Sequence, residues 1–445
     1  MSRLFALPMA VLTDSYKVTH TFMYPDAQKM VAYGEFRASF DRDPEDTRIV
    51  FYGIRYIIEN YIAVKWTMEE DYFAHRCNCD DMVLVEWHNQ VVEEHDGYFP
   101  AKIEGLPEGS VVYPHVPIYQ ITTFKAFAPL ITYLETLLTL VWYPTTVATL
   151  SRRVRDLIEE AFDKSTEASK FGLLGSVEQS IIGGCAHLVN FDGSDTLSAA
   201  YYAQFHLNDG HPVATSIPAT EHSVMTAYHS EREALRTLIT KFGDNVCACV
   251  MDSYDYAYAL EKILPSVASE KLERGGFLVL RPDSGDPLTA VLMGLRIGGS
   301  VFQVLRGCGV IQGDGVSYGK IKAILKGILD AGYAADNVAF GMGGGLLQKV
   351  NRDTMSFATK LSHITYADGT PRDVMKYPKT DASKVSLPGE LAVITNDEQS
   401  EQGIELALWT QSWARSSPHS LPPPTSLRIE AGDRVRIPSV FPLMD

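Results

Sequence analysis

The stretch Leu278-Val-Leu-Arg-Pro-Asp-Ser-Gly-Asp-Pro287 decides the fold. Its opening leucine-valine-leucine run predicts a buried strand, which the proline and glycine that follow bring to an end. Asp286 and Pro287 are typical of a helix N-cap with proline at the first helical position. A strand therefore delivers Arg281 and Asp283 to its carboxyl end, where a cation and a carboxylate would meet an anionic ligand or its metal.

Similar units recur through the second half of the chain. Each unit is a short apolar run, then polar or glycine residues, then a helical segment, at a spacing of roughly 30 residues. The predicted strands are 187–191, 213–217, 246–251, 277–280, 308–311 and 337–340. Such runs are typical of parallel strands that are buried on both faces. Because all six following loops carry chemically equipped residues, we favour a parallel β/α barrel with one ligand-binding rim over an open sheet.

The first half of the chain lacks this repeat and predicts a separate layer. It includes an alternating strand over 28–38, short strands within 100–124 and a helical region over 129–163 that is interrupted near Pro144. The expected fold class is α/β: an irregular parallel β/α barrel plus an N-terminal α+β layered domain. The expected bounds are 1–150 for the N-terminal domain, completed by part of 379–445, and 151–378 for the barrel. A divergent tail over 396–445 is expected to be loosely ordered.

Composition excludes several classes of protein. Hydrophobic residues make up 46% and charged residues 21% of the 445 residues, as is ordinary for a globular protein. The net charge of −16 argues against nucleic acid or an anionic membrane as a general partner. No apolar run approaches the roughly 18 residues of a membrane span, and no signal peptide is apparent, so we expect a cytoplasmic protein. Cys247-Ala-Cys249 lacks the spacing usual for zinc and fits a strand.

The loops of the predicted rim carry the residues with chemistry. They are Asp192 and Asp195, Glu221 and His222, Asp252 and Asp255, Arg281 and Asp283, Asp314, and the glycine run 341–345. A glycine run lets backbone N–H groups approach a phosphate closely, and seven lysines and arginines follow it between 349 and 384. These features suit a phosphorylated sugar with bound magnesium. His222 is open to two interpretations, a structural or capping histidine or a catalytic one that Asp252 orients.

Seven stretches carry a family resemblance. They are TDSYKVTH (13–20), HLVNFDGSDT (187–196), SIPATEHS (216–223), MDSYD (251–255), LRPDSGDP (280–287), VIQGDG (310–315) and FGMGGGLLQK (340–349). In this order they resemble the nicotinamide phosphoribosyltransferases of the nicotinate/nicotinamide phosphoribosyltransferase family. The resemblance implies a type II phosphoribosyltransferase-like fold and a homodimer with the active site at the subunit interface. It also implies transfer of the phosphoribosyl group of 5-phosphoribosyl 1-pyrophosphate to nicotinamide in NAD salvage, with Mg²⁺ and with ATP hydrolysis coupled through a phosphohistidine.

The resemblance also implies residue roles. His222 would be the phosphorylated histidine, with Asp252 as its orienting carboxylate and Asp283 as a further catalytic group. Asp195 would accept a hydrogen bond from the carboxamide N–H₂, which favours the amide over nicotinate. The expected nicotinamide-binding set is Asp195, Phe171, Tyr16 from the partner subunit, and Arg281. The expected phosphoribosyl- and phosphate-binding set is Arg37, Pro282, Gly313, Asp314, Gly343, Gly344, Arg352, Lys360, Lys376 and Lys384. Metal ligands are left unassigned.

Two departures from the family pattern keep alternatives open. The loop 169–180 is about two residues shorter than the family pattern, and Leu174 stands at the position of an arginine that contacts phosphate and ring. From about 396 the tail no longer resembles the family. The alternatives are therefore the related nicotinate enzyme and an inactive homologue that binds the nucleotide without turnover.

Overall fold

The computed structural model divides into two compact units. It describes residues 12–14, 17, 20–21, 23–65, 90–161, 179–302, 307–380, 382–395, 406–410 and 427–429. The described residues of Met1–Thr149 and Asn351–Val440 form unit 1, and those of Leu150–Val350 form unit 2.

The strands and helices have the following bounds. The strands are β1 Ala27–Phe36, β2 Ile49–Val50, β3 Ala101–Gly105, β4 Val111–Val112, β5 Pro117–Phe124, β6 Cys247–Val250, β7 Leu278–Arg281, β8 Cys308–Gln312, β9 Val338–Phe340, β10 Phe357–Tyr366, β11 Pro371–Asp373, β12 Leu391–Thr395, β13 Leu406–Thr410 and β14 Leu427–Ile429. The α-helices are α1 Ile54–Ile57, α2 Glu135–Thr139, α3 Trp142–Ala161, α4 Gly184–Leu188, α5 Leu197–Tyr202, α6 His222–Ala227, α7 Glu231–Phe242, α8 Tyr256–Tyr258, α9 Ala268–Arg274, α10 Pro287–Val301, α11 Tyr318–Asp330 and α12 Gly344–Leu347.

Unit 1 is built on an antiparallel sheet. Its strand order is β11-β10-β1-β5-β3-β14, and the predicted strand over 28–38 is β1. β10 belongs to this sheet, although the sequence assigned its residues to the barrel. Gly34 is required in β1 because a Cβ there would lie 2.4 Å from the ring of Tyr119, whose hydroxyl lies 2.7 Å from Thr359 Oγ1. The ring of Tyr119 thus packs flat against β1, and its hydroxyl reaches past β1 to β10.

The predicted helical region after 129 is confirmed, with its interruption. Helix α2 ends at Thr139 and α3 begins at Trp142, so Pro144 lies in the first turn of α3. Proline is tolerated there because an N–H in the first turn has no partner within the helix. In the part of the chain that is described, no single helix is long and apolar enough to cross a membrane. One bent pair, Lys125–Thr132 with Glu135–Ala161, meets the length and composition criteria together.

Unit 2 is built on a parallel sheet. Its strand order is β6-β7-β8-β9, which confirms four of the six predicted strands. Asp286 caps α10 by accepting from the Thr289 N–H at 2.9 Å, and Pro287 is the first helical residue, as predicted. The decisive stretch of sequence is therefore a strand, a short loop and a capped helix.

The other two predicted strands are wrong. The apolar run over 187–191 begins with the last two residues of α4 and then forms a turn, because a short apolar run does not distinguish a buried strand from the end of a buried helix. The run over 213–217 is flanked by Pro212 and Pro218, which cannot donate to a ladder. It makes only isolated parallel bridges, Gly193 with Thr215 and Ala219 with Ala248.

These bridges nevertheless complete the parallel core. The segment around Gly193 bridges to the segment around Thr215, which in turn bridges to β6 through Ala219 and Ala248. Six parallel segments therefore lie side by side in chain order. Helix α12 lies near the end of unit 2 and packs on the helical turn Gln179–Gly183 near the beginning of the unit. The expected irregular β/α barrel is therefore confirmed, with two of its six segments held by single bridges.

Candidate active site

Carboxylates lie at the C-terminal edge of the parallel sheet. Val250 pairs with Arg281 across β6 and β7, and the Met251 N–H donates to the Arg281 carbonyl oxygen at 3.0 Å. The loops that follow therefore bring Asp252 and Asp283 together at neighbouring strand ends. Ligands bind at this edge in parallel α/β folds.

His222 lies between the loops that follow β6 and β7. Its Nδ1 is 3.1 Å from Ser253 Oγ, and its Nε2 is 3.3 Å from Asp283 Oδ2. The side chain is 45% exposed, so a substrate can reach it. Because an ionised carboxylate only accepts, we assign the hydrogen of the neutral ring to Nε2 and the lone pair to Nδ1. Asp283 and Ser253, rather than Asp252, contact the imidazole.

Asp252 holds the loop that carries Asp283. Its Oδ2 accepts from the main-chain N–H of Asp283 at 2.9 Å and from the hydroxyl of Ser284. Its Oδ1 is buried and has no hydrogen-bond partner among the described residues. An ordered carboxylate oxygen left unpaired in this way is available to a cation or a ligand hydroxyl.

Arg281 lies flat beside the backbone of the next loop. Its Nη2 donates to Asp283 Oδ1 at 3.2 Å, and a Cβ at position 313 would lie 3.4 Å from its Nε. Glycine at 313 thus leaves room for the guanidinium. Within the described chain, neither Arg281 Nε nor the buried Gln312 Oε1 has a hydrogen-bond partner. An unpaired donor and an unpaired acceptor therefore lie at the ends of adjacent strands.

The glycine loop after β9 is closely packed. A Cβ at Gly345 would lie 2.3 Å from the Val316 carbonyl oxygen, so a side chain there would displace the loop. Gly343 precedes the first turn of α12, and Gly344 is its first residue. This backbone fits the phosphate-binding prediction in conformation, and the role remains a prediction.

The remaining predicted residues of unit 2 differ in exposure. Asp195 is exposed, and its Oδ1 accepts from the hydroxyl of Ser216. Pro282 is buried and Asp314 is exposed. The hydroxyl of Ser216 orients the Asp195 carboxylate, which precedes α5.

Unit 1 contains a partly buried group of cations. The Arg37 Nε donates to Oε1 of the fully buried Glu35 at 2.8 Å, whereas the buried Arg37 Nη2 has no partner in the described ranges. Burial lowers the pKa of Lys360, and the nearby charges of Arg37 and Lys376 lower it further, whereas those of Glu135 and Glu35 raise it. Cations that crowd one another and leave a buried N–H unpaired make a favourable place for an anion.

Two further predicted cations of unit 1 are exposed. Lys384 ends the helical turn Ala382–Lys384, and Arg352 begins the turn Arg352–Thr354, which Asn351 caps. Arg352 Nη2 lies 3.5 Å from Asp353 Oδ1. Tyr16 and Phe171, predicted to bind nicotinamide, and Leu174 lie outside the described residues.

Sequence profiles of known families match most of the chain. The profile of the nicotinate phosphoribosyltransferase (NAPRTase) family matches residues 164–404, which is more than half of the chain. The chain belongs to the nicotinate phosphoribosyltransferase family. The profile of the nicotinamide phosphoribosyltransferase N-terminal domain matches residues 8–103. As a member of this family the protein is a phosphoribosyltransferase, an enzyme of the pentosyltransferase class.

Relatives of this phosphoribosyltransferase agree with the motif resemblance. A nicotinamide phosphoribosyltransferase of Xanthomonas campestris pv. campestris is 38% identical over 422 residues, which cover 86% of each chain. One of Acinetobacter baylyi is 29% identical over 460 residues, which cover 88% of each chain. The predicted resemblance is therefore confirmed.

Solved structures agree with the fold. The nicotinate-nucleotide pyrophosphorylase of Pyrococcus furiosus superposes with a TM-score of 0.62 at 15% identity, over 99% of this chain and 95% of that one. Human nicotinic acid phosphoribosyltransferase superposes with a TM-score of 0.60 at 18% identity, over 86% and 78% of the two chains. The predicted type II phosphoribosyltransferase-like fold is confirmed.

The carboxylates of this phosphoribosyltransferase suit a magnesium ion that substrate phosphates help to hold. Over the described ranges no group of three His, Cys, Asp or Glu side chains could hold a metal ion alone. Asp252 nevertheless has a buried oxygen to offer, close to the loop that carries Asp283. Such a donor set suits Mg²⁺, which is typically held by one or two carboxylates together with substrate phosphates and water.

Sequence reasoning missed Ser253. It lies within the Asp-Ser-Tyr-Asp stretch 252–255, where the carboxylates drew attention, and its hydroxyl contacts the imidazole directly. The sequence does carry a signal for Ser253, because a hydroxyl that directly follows a carboxylate of the rim is as well placed to contact another site residue as that carboxylate is.

Proposed function

We propose that this enzyme transfers the phosphoribosyl group of 5-phosphoribosyl 1-pyrophosphate to nicotinamide, giving nicotinamide mononucleotide and pyrophosphate in NAD salvage. The proposal includes ATP hydrolysis coupled through a phosphohistidine at His222. The observation that carries it is the accessible imidazole of His222 with both ring nitrogens engaged, by Ser253 and by Asp283. Reaction in the cytoplasm is part of the proposal.

The transfer exchanges one bond at C1 of the ribose. The pyridine nitrogen donates its electron pair to C1 while pyrophosphate leaves with the electron pair of the broken C–O bond. Arg281, Pro282, Gly313 and Asp314 are proposed to hold the phosphoribosyl group and the base. The unpaired Nε of Arg281 and Oε1 of Gln312 support this role, because a ligand with both donors and acceptors would satisfy them.

Phosphorylation of His222 would use the arrangement of its two nitrogens. The ring nitrogen that carries the lone pair attacks the γ-phosphorus of ATP, and ADP leaves with the bonding electron pair. The other nitrogen keeps its hydrogen and donates it in a hydrogen bond to the Asp283 carboxylate. That carboxylate stabilises the charge that the phosphorylated ring acquires. Asp252 and Asp283 are the residues that would hold Mg²⁺, which supplies neutralisation of phosphate charge when bound.

The proposed phosphate-binding residues are two glycines of unit 2 and several cations of unit 1. Gly343 and Gly344 offer main-chain N–H groups at the start of α12. In unit 1 Arg37 has an unpaired buried N–H, and desolvation next to other cations lowers the pKa of Lys360. Arg352, Lys376 and Lys384 complete the proposed set.

Base selection is assigned to Asp195. Its carboxylate accepts hydrogen bonds from the carboxamide N–H₂ of nicotinamide and repels the carboxylate of nicotinate. Tyr16 of the partner subunit and Phe171 are proposed to stack on the pyridine ring. The second candidate, nicotinate phosphoribosyltransferase, draws support from the family profile that matches residues 164–404, and the third is an inactive nucleotide-binding homologue with Leu174 in its altered loop.

An assay of nicotinamide mononucleotide formation, with and without ATP, tests this function. We expect product with nicotinamide, little with nicotinate, and a lower apparent KM when ATP is present. His222→Ala should abolish ATP hydrolysis and labelling of the protein by [γ-³²P]ATP. Label on the His222→Ala protein would contradict the phosphohistidine. Calorimetric binding of 5-phosphoribosyl 1-pyrophosphate without release of pyrophosphate would favour the inactive homologue.

A further inference from the structure

Unit 1 contains a fully buried carboxylate that the proposed chemistry does not use. Glu35 is the residue before the last in β1, and its side chain is fully buried. Glutamate is almost never fully buried unless it is paired, because an ionised carboxylate loses its hydration on burial. A carboxylate kept in such a place needs specific partners, and these partners indicate its role.

The polar face of the sheet brings Glu35 next to cations. Successive side chains of a strand point to opposite faces. Phe36 lies on the apolar face with its cross-strand partner Phe357, at a ring-centroid distance of 4.9 Å. Glu35 and Arg37 flank Phe36 in the chain and therefore project to the other face. Lys360, which follows Phe357 by three residues on β10, projects to that face as well.

Each carboxylate oxygen of Glu35 faces a different side chain. Oε1 accepts from Arg37 Nε at 2.8 Å. Oε2 lies 3.4 Å from Nδ1 of His115 and makes no hydrogen bond with any described residue. The main-chain N–H of His115 donates to the Phe36 carbonyl oxygen at 2.7 Å, which keeps the imidazole beside Glu35. The carboxylate is therefore held between a guanidinium and an imidazole.

Arg37 is held at its main chain and at one nitrogen of its guanidinium. Its main-chain N–H donates to the Met355 carbonyl oxygen at 3.2 Å, and its Nε donates to Glu35. The side chain is only 10% exposed. A guanidinium is planar, so a contact that fixes Nε also fixes the direction of the other N–H groups. One of these groups, the buried Nη2, has no hydrogen-bond partner in the part of the chain that the structure describes.

We propose that Glu35 is a positioning residue for anion binding, which holds Arg37 by Nε so that the buried Nη2 stays available to a phosphate group. An unpaired buried N–H is costly in the free protein, and a phosphate oxygen that accepts from it would remove that cost. Without the contact to Glu35 the guanidinium would be free to turn away, and anion binding would have to order it again. The role rests on the proposed contact of Arg37 with phosphate.

The opposing explanation is that Glu35 only neutralises the cations around it. In that case the loss of its negative charge would leave Arg37 and Lys360 more attractive to an anion, and pyrophosphate would bind more tightly. A positioning role predicts the opposite change, because a guanidinium that is no longer held binds the anion less well. The sign of the change in affinity therefore separates the two explanations.

The test is a calorimetric titration of the full-length protein with inorganic pyrophosphate at neutral pH. The variants are Glu35→Ala, Glu35→Gln, Glu35→Asp, Arg37→Ala and the double variant Glu35→Ala/Arg37→Ala. Glu104→Ala is the matched control, because Glu104 pairs at 2.7 Å with Lys102, which lies two residues away on a strand of the same sheet. Thermal unfolding shows that each variant is folded.

We expect Glu35→Ala to raise the dissociation constant of pyrophosphate roughly tenfold, as for the loss of one charged hydrogen bond. Glu35→Gln should bind at least as tightly as the wild type, because its amide oxygen still accepts from Arg37 Nε and its amide N–H₂ then faces His115 Nδ1. Glu35→Asp should bind weakly, since it keeps the charge but is one methylene shorter. The double variant should bind no more weakly than Arg37→Ala, because Glu35 acts through Arg37. Glu104→Ala should match the wild type.

Several outcomes would overturn the proposal. They are unchanged or tighter binding in Glu35→Ala, equal losses in Glu35→Gln and Glu35→Ala, and a double variant that binds more weakly than Arg37→Ala. If Glu35→Ala does not fold, Glu35→Gln and Glu35→Asp carry the test. Weak binding by the glutamine variant, or wild-type binding by the aspartate variant, would then contradict the positioning role.

Arg37→Ala separates this role from the proposed function. Wild-type affinity for pyrophosphate in Arg37→Ala would remove Arg37 as a phosphate contact and the role of Glu35 with it. A loss in Arg37→Ala with no loss in Glu35→Ala would remove only the role of Glu35. If the variants behave as expected but no nicotinamide mononucleotide forms, the proposed reaction is wrong and the positioning role stands.

Discussion

The proposed choice of base depends on one exposed carboxylate. Asp195 follows the segment that bridges to Thr215, and the hydroxyl of Ser216 donates to its Oδ1. This contact fixes the direction of a carboxylate that would otherwise rotate freely in water. An oriented acceptor distinguishes a carboxamide from a carboxylate by one hydrogen bond and one charge repulsion.

Replacing Asp195 by serine should erode the preference for the amide. We expect the ratio of kcat/KM for nicotinamide to kcat/KM for nicotinate to fall by roughly 10- to 100-fold, the range for one charged hydrogen bond. Steady-state assays with each base measure the ratio. Asp192→Asn, on the same loop, is the control and should keep the wild-type ratio. An unchanged ratio in Asp195→Ser would show that selectivity lies elsewhere.

Lys360 should make anion binding sensitive to alkaline pH. Burial, Arg37 and Lys376 lower its pKa, so the ammonium loses its proton at a lower pH than an ordinary lysine does. An anion binds the charged form, and affinity therefore falls as the pH rises through that lowered pKa. Calorimetric titration with inorganic pyrophosphate between neutral pH and about pH 10 measures the fall.

Lys360→Arg separates this effect from general alkaline instability. A guanidinium stays charged over the whole range, so the variant should keep its affinity at a pH where the wild type has lost it. Lys379→Arg, at an exposed lysine of the same unit, should titrate like the wild type. Equal pH dependence in the wild type and Lys360→Arg would show that Lys360 does not contact the anion.

At the scale of elements, a buried histidine explains why the predicted strand over 187–191 begins in a helix. His187 lies in α4, with Nδ1 3.0 Å from Ser151 Oγ and Nε2 3.0 Å from the Gly193 carbonyl oxygen. Its ring stacks on Phe191 at a centroid distance of 5.1 Å. These contacts join α4 to α3 and to the first parallel segment, and none of them can be read from local hydrophobicity.

His187 should make the fold sensitive to acid. Burial lowers its pKa from 6.5 to about 4, so the unfolded chain binds the proton first as the pH falls. The free energy of unfolding should therefore decrease between these two pH values, by up to roughly 3 kcal/mol from this group. Urea unfolding across this range measures the decrease. His187→Gln should flatten it, whereas His229→Gln, at an exposed histidine, should leave the slope unchanged.

Sequence could predict the elements whose signals are local. The strand at 278–281 and the cap at Asp286 follow from an apolar run and an Asp-Pro pair, and both are present. The segment over 213–217 forms no strand and makes only isolated bridges, because its flanking prolines withhold ladder donors. The carboxylates that the pattern placed at the rim are there, but the partner of His222 is not the one expected. Which of two neighbouring carboxylates faces a ring depends on loop conformation, which spacing does not encode.

At the scale of the whole molecule, unit 2 leaves an apolar stripe uncovered. Leu197 is 85% exposed, Tyr201 61% and Phe205 54%, and their four-residue spacing puts them on one face of a helical segment. A monomer rarely leaves such a row in water, and a two-fold interface buries the same patch on both subunits. The stripe supports the proposed homodimer. Tyr201→Asp should therefore give a monomer by light scattering, whereas Leu272→Asp, at an isolated exposed leucine, should not.

Complementation between inactive subunits tests whether the partner supplies part of the site. Tyr16→Ala and His222→Ala should each lose the ATP-dependent formation of nicotinamide mononucleotide, which is the activity measured here, because stacking and phosphohistidine formation would be lost separately. If Tyr16 acts in the partner's site, a heterodimer of the two variants contains one site with both residues intact. Random pairing makes half of the dimers heterodimers, so co-expression should restore about a quarter of wild-type activity. Adding Tyr201→Asp to both variants should abolish the recovery. Differential tagging verifies that heterodimers have formed. If verified heterodimers show no recovery, either Tyr16 and His222 act in the site of the same subunit or Tyr16 lies outside the site.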